Sequence, residues 1–253
     1  GGIFVGGVVG KSNAGTYVTC YNTGAVTNSG KAKDSLQPCD VGIGGFAGYL
    51  LGKASTFTGT ATAYNYNSGT VLDDSESTYV GAGGCVGFVN AEGSELSYLK
   101  NLADGDITVE NKTLNRIWVG GVVGAINALC TMDYASNAGN LSFYNLTVNK
   151  TGYVVAGGVL GGFCFANKTI QSAEVTFRGL TNEGDVECAS KKVDGAGGCN
   201  MAAGDASMQN YSYIGGICGV GEAYSKYFLD CVNSGLVDID NQLQTRMGGV
   251  LGY

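Results

Sequence analysis

The residues of this sequence that could do chemistry are few, and their usual partners are missing. No histidine occurs among the 253 residues, so neither a Ser-His-Asp nor a Cys-His site can be built within the chain. Nine cysteines stand at positions 20, 39, 85, 130, 164, 188, 199, 218 and 231, with no C-x-x-C pair. Zinc held by four widely spaced thiolates is not expected. The ordinary reading is of small buried hydrophobes, with a few disulfides if the compartment is oxidising. The odd count leaves at least one thiol unpaired within the chain. Paired carboxylates remain, because two of them suffice for glycoside hydrolysis. Asp73-Asp74-Ser75-Glu76 is the one dense acidic run; Asp104 and Asp106 flank Gly105, and Asp238 and Asp240 lie further on. All three sites read as solvated loops. Asp-x-Asp pairs can hold calcium weakly, but the G-G-x-G-x-D spacing of calcium-binding rolls is absent. No cofactor and no catalysis are expected.

Two other side-chain chemistries stand out. Asn-x-Ser/Thr sequons occur at Asn111, Asn140, Asn145, Asn149, Asn167 and Asn210, candidates for N-glycosylation on a secretory route. Fifteen Tyr and nine Phe invite a carbohydrate-stacking strip. Many of them fall at regular places (Tyr21, Tyr64, Tyr66, Tyr134), which favours stacking on one another inside a repeat.

What would position such residues is written in the composition. Gly accounts for 44 residues against one Pro, and charged residues for only 14%. Gly at that level without Pro and without a three-residue period excludes collagen. Few charges with many Val, Thr and Tyr suit a paired, β-rich chain rather than a disordered one. The net charge of −7 leaves no basic stripe for phosphates, so no nucleic-acid partner is expected. No apolar run approaches the roughly 20 residues of a membrane helix.

The organising signal is a repeat. A Gly-Gly pair starts at Gly6, Gly44, Gly83, Gly120, Gly157, Gly215 and Gly248, as GGVVG, GGFAG, GGCVG, GGVVG, GGVLG, GGICG and GGVLG. After each of the first six comes a second signature: NTGAV at Asn22, NSGTV at Asn67, ADGDI at Ala103, NAGNL at Asn137, NEGDV at Asn182 and NSGLV at Asn233. Strand-like stretches such as TYVTCY and EVTFRGL precede it. The segments are too short, Gly-rich and β-branched for helical repeats, and four-stranded propeller signatures are missing. This predicts an all-β parallel β-solenoid of about six repeats of roughly 37–39 residues, with three short strands each. One domain covers 1–253, with loop insertions at 28–41 and 191–209. Asn22, Asn67, Asn137, Asn182 and Asn233 are expected to enter αL at a repeated corner and to bond to one another along the axis. The third repeat, with Ala103, is expected to lack that asparagine. The Gly-Gly pair marks a place where another layer of backbone comes close.

At these residues the sequence resembles the GLUG-motif repeats: a Gly-Gly-apolar-apolar-Gly run, then Cys/Ser-aromatic-Asn-x-Gly-apolar. The nearest copies are GGVVG with CYNTGAV (Cys20 to Val26) and GGICG with CVNSGLV (Cys231 to Val237). The likeness covers nearly the whole chain, with the third unit departing from it. The resemblance implies an extracellular or cell-surface location and a structural or adhesive role, and it brings no catalytic residues.

The expected function is therefore a non-enzymatic structural repeat of a surface fibre, filament or stalk. The chain opens and closes in mid-pattern, so it is expected to belong to a longer array or to self-associate end to end. The alternative is an adhesin that binds glycans through a loop face. A polysaccharide-active β-helix enzyme is the remote third reading, to be tested at Asp73 and Asp74.

Overall fold

The computed structural model describes residues 2–32, 39–77, 79–164, 174–188, 200–201, 211–220, 226–239 and 244–252. The chain is an all-β parallel β-solenoid of about six coils, with no helix among the described residues. Every strand pairing among these residues is parallel, and each strand pairs with its counterpart in the next coil: Ile3–Gly6 with Val41–Gly44, that strand with Tyr79–Gly83, and so on. At roughly 4.8 Å per coil, six coils make a block about 30 Å tall.

The three strand segments expected per repeat are present, and two further short ones join them. The second coil is representative: Val41–Gly44, Ala47–Gly52, Ser55–Thr58, Asn65–Asn67 and Val71–Asp73. The first and last of these types run together in Ile107–Gly120 and Leu141–Gly157, so that the end of one coil continues into the start of the next. Residues Asn200–Met201, within the segment expected to protrude, pair with Thr147–Val148 in the same sheet; the rest of 191–209 lies outside the described residues, as do 33–38 of the first expected insertion.

The Gly-Gly-x-x-Gly run makes a reversal between two strands packed backbone to backbone. Gly44 closes the strand Val41–Gly44, Gly45-Phe46 bends, and Ala47–Gly52 returns. A Cβ on the last glycine of the run, Gly87 or Gly124, would come closer than 3.0 Å to backbone atoms of Ile43 or Ala82 on the facing strand. Close approach, rather than an unusual φ, selects glycine here.

Apolar columns fill the space between the faces. The residues after each Gly-Gly (Phe46, Val86, Val122, Val123, Val159, Leu160, Ile217) are buried with Phe57, Leu96, Met132 and Phe177 in one cluster. Val8, in the first described coil, is 45% exposed. A second cluster runs under Val41, Val80, Ile107 and Leu141. A third lies on the opposite side of the Gly-Gly strands, around Phe88, Trp118 and Val155, where Arg116 lies over the rings of Tyr79 and Tyr153.

Candidate functional site

The most ordered polar feature is a single file of asparagines. The Nδ2 of Asn22 donates to Oδ1 of Asn67 at 2.9 Å, Asn67 to Asn101 at 2.9 Å, Asn101 to Asn137 at 2.8 Å, Asn137 to Asn182 at 2.8 Å and Asn182 to Asn233 at 2.7 Å. Each Nδ2 also donates to the carbonyl of the glycine that follows in its own corner, at 2.6–3.0 Å. The four middle asparagines are buried and the two end ones half-buried. A buried carboxamide with its donors and acceptor satisfied is stabilising, whereas one left unpaired is costly. All five bonds point the same way, so the ladder shows an acceptor at the Asn22 end and a donor at the Asn233 end.

Two expectations are corrected by this geometry. The third repeat does not lack its asparagine: Asn101 fills the place, and Leu102, Ala103 and Asp104 form a wider turn before Gly105. Ala103 is exposed in that turn. The signal was NLADG itself, an Asn-x-x-x-Gly corner two residues longer than the others. Secondly, the ladder asparagines are not in αL. Positive φ falls three residues earlier, at Thr19 (50°), Tyr98 (53°), Tyr134 (55°), Gly179 (64°) and Asp230 (55°). Asparagine is selected by the bonds of its carboxamide, and the glycine two or four residues later by lack of room. In four coils a Cβ there (Gly69, Gly139, Gly184, Gly235) would come closer than 3.0 Å to the carbonyl oxygen of the glycine in the preceding coil.

The two recurring signatures also touch. The second glycine of each pair (Gly7, Gly45, Gly84, Gly121, Gly158, Gly216) lies against the ladder asparagine of its own coil, so that a Cβ would run into the carboxamide. That contact explains why the motifs recur together.

The other sequence candidates are distributed, not convergent. Asp73 is fully buried rather than solvated, and its Oδ1 accepts from Asn28 Nδ2 at 2.8 Å. Burial alternates beyond the strand: Asp74 is half-buried, Ser75 is buried, and exposed Glu76 pairs with Lys31 at 2.9 Å, which lowers its pKa. Asp106 Oδ1 accepts from the backbone N–H of Asn140, Asn140 Oδ1 from that of Asp185, and Asp185 Oδ1 from that of Leu236. Asp104 and Asp238 are exposed; Asp240 lies outside the described residues. No group of three or more Asp, Glu or Cys among these residues could hold a metal ion. A groove of about 420 Å³ is lined by Glu92, Glu95 and Glu174 with Ser94, Thr131 and Thr176.

Of the sequons, Asn140 is exposed and presents its carboxamide with Oδ1 engaged. Asn111, Asn145 and Asn149 fall on the long strands Ile107–Gly120 and Leu141–Gly157, their side chains outside the described set; Asn167 and Asn210 lie outside it altogether. The tyrosines stack on one another: Tyr21 on Tyr66 with ring centroids 5.0 Å apart and Tyr98 on Tyr134 at 5.1 Å, while Lys100 Nζ lies 3.9 Å over Tyr64. Each stack uses one face of a ring, and Tyr21 and Tyr134 remain 58% and 45% exposed. The seven cysteines described with their side chains are free thiols. Burial pushes the thiols of Cys85 and Cys130 up to about 12, and those of Cys164 and Cys218 higher still. No described helix is long and apolar enough to cross a membrane.

No family model, no curated protein and no solved structure matches this chain.

Proposed function

We propose that the chain is a non-catalytic, extracellular module of a surface fibre or stalk, built from GLUG-type repeats and joined to its neighbours through its end faces. One observation carries the reading. Of the large apolar side chains exposed among the described residues, all but Tyr134 belong to the first or the last coils: Val8, Val18 and Tyr21 at one end, and Tyr227, Leu229, Val232, Leu236, Met247, Val250 and Leu251 at the other. In a solenoid the apolar side chains of an end coil are covered by the next coil, whether that coil belongs to the same chain or to a second molecule. Electron microscopy and fibre diffraction of the native material test it: continuous rods with an axial repeat of about 4.8 Å support the reading, and discrete particles without axial order contradict it.

A glycan-binding adhesin is the second reading. The groove between Glu92, Glu95 and Glu174 favours it, since carboxylates and hydroxyls on a shallow wall are acceptors for sugar hydroxyls. A glycan array showing saturable binding lost in Glu95→Gln would support it, and flat binding throughout would remove it.

A further inference from the structure

Tyr79, Arg116 and Tyr153 are register partners in three successive coils, the third to the fifth, in the middle of the stack. The guanidinium carbon of Arg116 lies 5.7 Å from the ring centroid of Tyr79 and 5.4 Å from that of Tyr153. Rings on both sides occupy the faces of a guanidinium and leave its edge, where five N–H donors lie in one plane. Among the described residues no carboxylate meets that edge, their ion pair being Lys31 with Glu76. Asp40, the acid of the same column, stands one coil beyond Tyr79, which separates it from Arg116. Arg116 itself is half-buried.

A second donor lies two residues along the same strand. Trp118, the one tryptophan of the chain, is 1% exposed, and its indole N–H has no hydrogen-bond partner among the described residues. Trp118 meets the same ring as Arg116: it stands edge to face with Tyr153, centroids 5.6 Å apart. Strand alternation puts residues 116 and 118 on one side of Ile107–Gly120. Cys164 belongs to the same cluster as Trp118; burial raises its thiol and the Arg116 charge acts against that rise, so the guanidinium stands beside the cluster and not far out in solvent. A buried donor without an acceptor is costly, and an orphan of this kind calls for an oxygen from elsewhere. Both groups only donate. A cationic fork with a neutral N–H beside it complements a planar oxyanion. One arginine in a chain of net charge −7 suits a single negative charge and not a polyphosphate.

We propose that Arg116 and Trp118 form a binding site for a carboxylate, both of its oxygens held by the edge of the guanidinium and one of them shared with the indole N–H. The Tyr153 ring, half-buried at the margin of the cluster, turns aside to admit it. The site lies in mid-stack and is independent of the fibre reading.

The single tryptophan makes the test direct. The 253-residue chain is titrated with acetate, N-acetylglycine and glucuronate at constant ionic strength, following tryptophan fluorescence and the indole N–H signal by NMR. A saturable response is expected, with the indole proton moving downfield as it gains an acceptor. Affinity should weaken about tenfold or more in Arg116→Lys, which keeps the charge over the rings and loses the fork; the wild-type titration decides the matter even if that variant fails to fold. Equal affinity for the three supports recognition of the carboxylate alone, tighter glucuronate an acidic sugar as its source, and tighter N-acetylglycine a peptide carboxyl terminus. No saturation, the same response to chloride, an indole signal already at its bonded position without ligand, or equal binding by Arg116→Lys would each overturn the inference.

Discussion

Gly121 and Asn137 meet at the centre of the fourth coil: a Cβ placed on Gly121 would lie within 3.0 Å of the Asn137 carboxamide and of the carbonyl oxygen of Gly158. Each residue limits the other. The carboxamide can bond up and down the axis only because the Gly-Gly turn leaves it room, and the turn is walled by the ladder.

Gly121→Ala should therefore cost about 3 kcal/mol or more, as overpacking against backbone does. Gly249 is the last glycine in the same sequence position and has nothing within 4 Å of its Cβ direction. Its alanine variant should change stability by no more than about 0.5 kcal/mol. Urea midpoints of the two variants decide it, and equal costs would contradict the contact.

Asn137→Ala removes the bonds to Gly139 and Asn182, and takes from Asn101 Nδ2 one of its two acceptors and from Asn182 Oδ1 its ladder donor, all in a buried column. A loss of about 3 kcal/mol is expected. Asn22→Ala, at the half-buried end with one ladder bond, should cost about 1 kcal/mol. Asn101→Ala should resemble Asn137→Ala rather than Asn22→Ala, in denaturant melts of the three.

Thr19 holds φ at 50° and is exposed. A β-branched residue in that region is strained by about 1–2 kcal/mol, which glycine relieves at the expense of unfolded-chain entropy. Thr19→Gly should stabilise the chain by about 1 kcal/mol, read as a raised midpoint. A destabilised variant would show that the left-handed column is not where the structure puts it.

Buried thiols give the stability a pH limit. Cys85 and Cys130 hold their protons up to about 12 in the fold, against an ordinary value near 9. Above pH 9 the unfolded chain loses protons that the folded chain keeps, so stability falls as pH rises, by roughly 1.4 kcal/mol per pH unit for each thiol until the folded values are reached. Below pH 8 these thiols should leave stability flat. Alkylation at pH 8 should reach half-buried Cys20 and Cys231 first; rapid native labelling of Cys85 would contradict its burial.

The coarse architecture was legible because two signatures recur in a fixed order, and only stacked coils need the same residue at the same place each time. The finer geometry was not, for reasons visible in particular residues. Asn-Ser-Gly at Asn67 reads as a left-handed corner because Asn and Gly enter that region easily, yet the side chain was selected for its bonds to Asn101 and Gly69. Three of the left-handed places are held by Thr19, Tyr98 and Tyr134, types that carry no such signature, and only Gly179 and Asp230 are types that enter that region readily. Asn101 was hidden by a turn two residues longer, which moved its glycine to Gly105. Asp73 reads as a loop acid and is buried, because the alternation of Val71–Asp73 turns it inward onto Asn28.

The most direct measurement is of the side-chain amides themselves, by NMR on protein carrying 15N-asparagine. The stacked arrangement predicts nuclear Overhauser contacts between the carboxamide protons of Asn67, Asn101 and Asn137 in that order, slow exchange of all three with solvent, and loss of the Asn101 signal alone in Asn101→Ala. Fast-exchanging amides with no contact between Asn101 and its two neighbours would mean that the coils do not lie in this register.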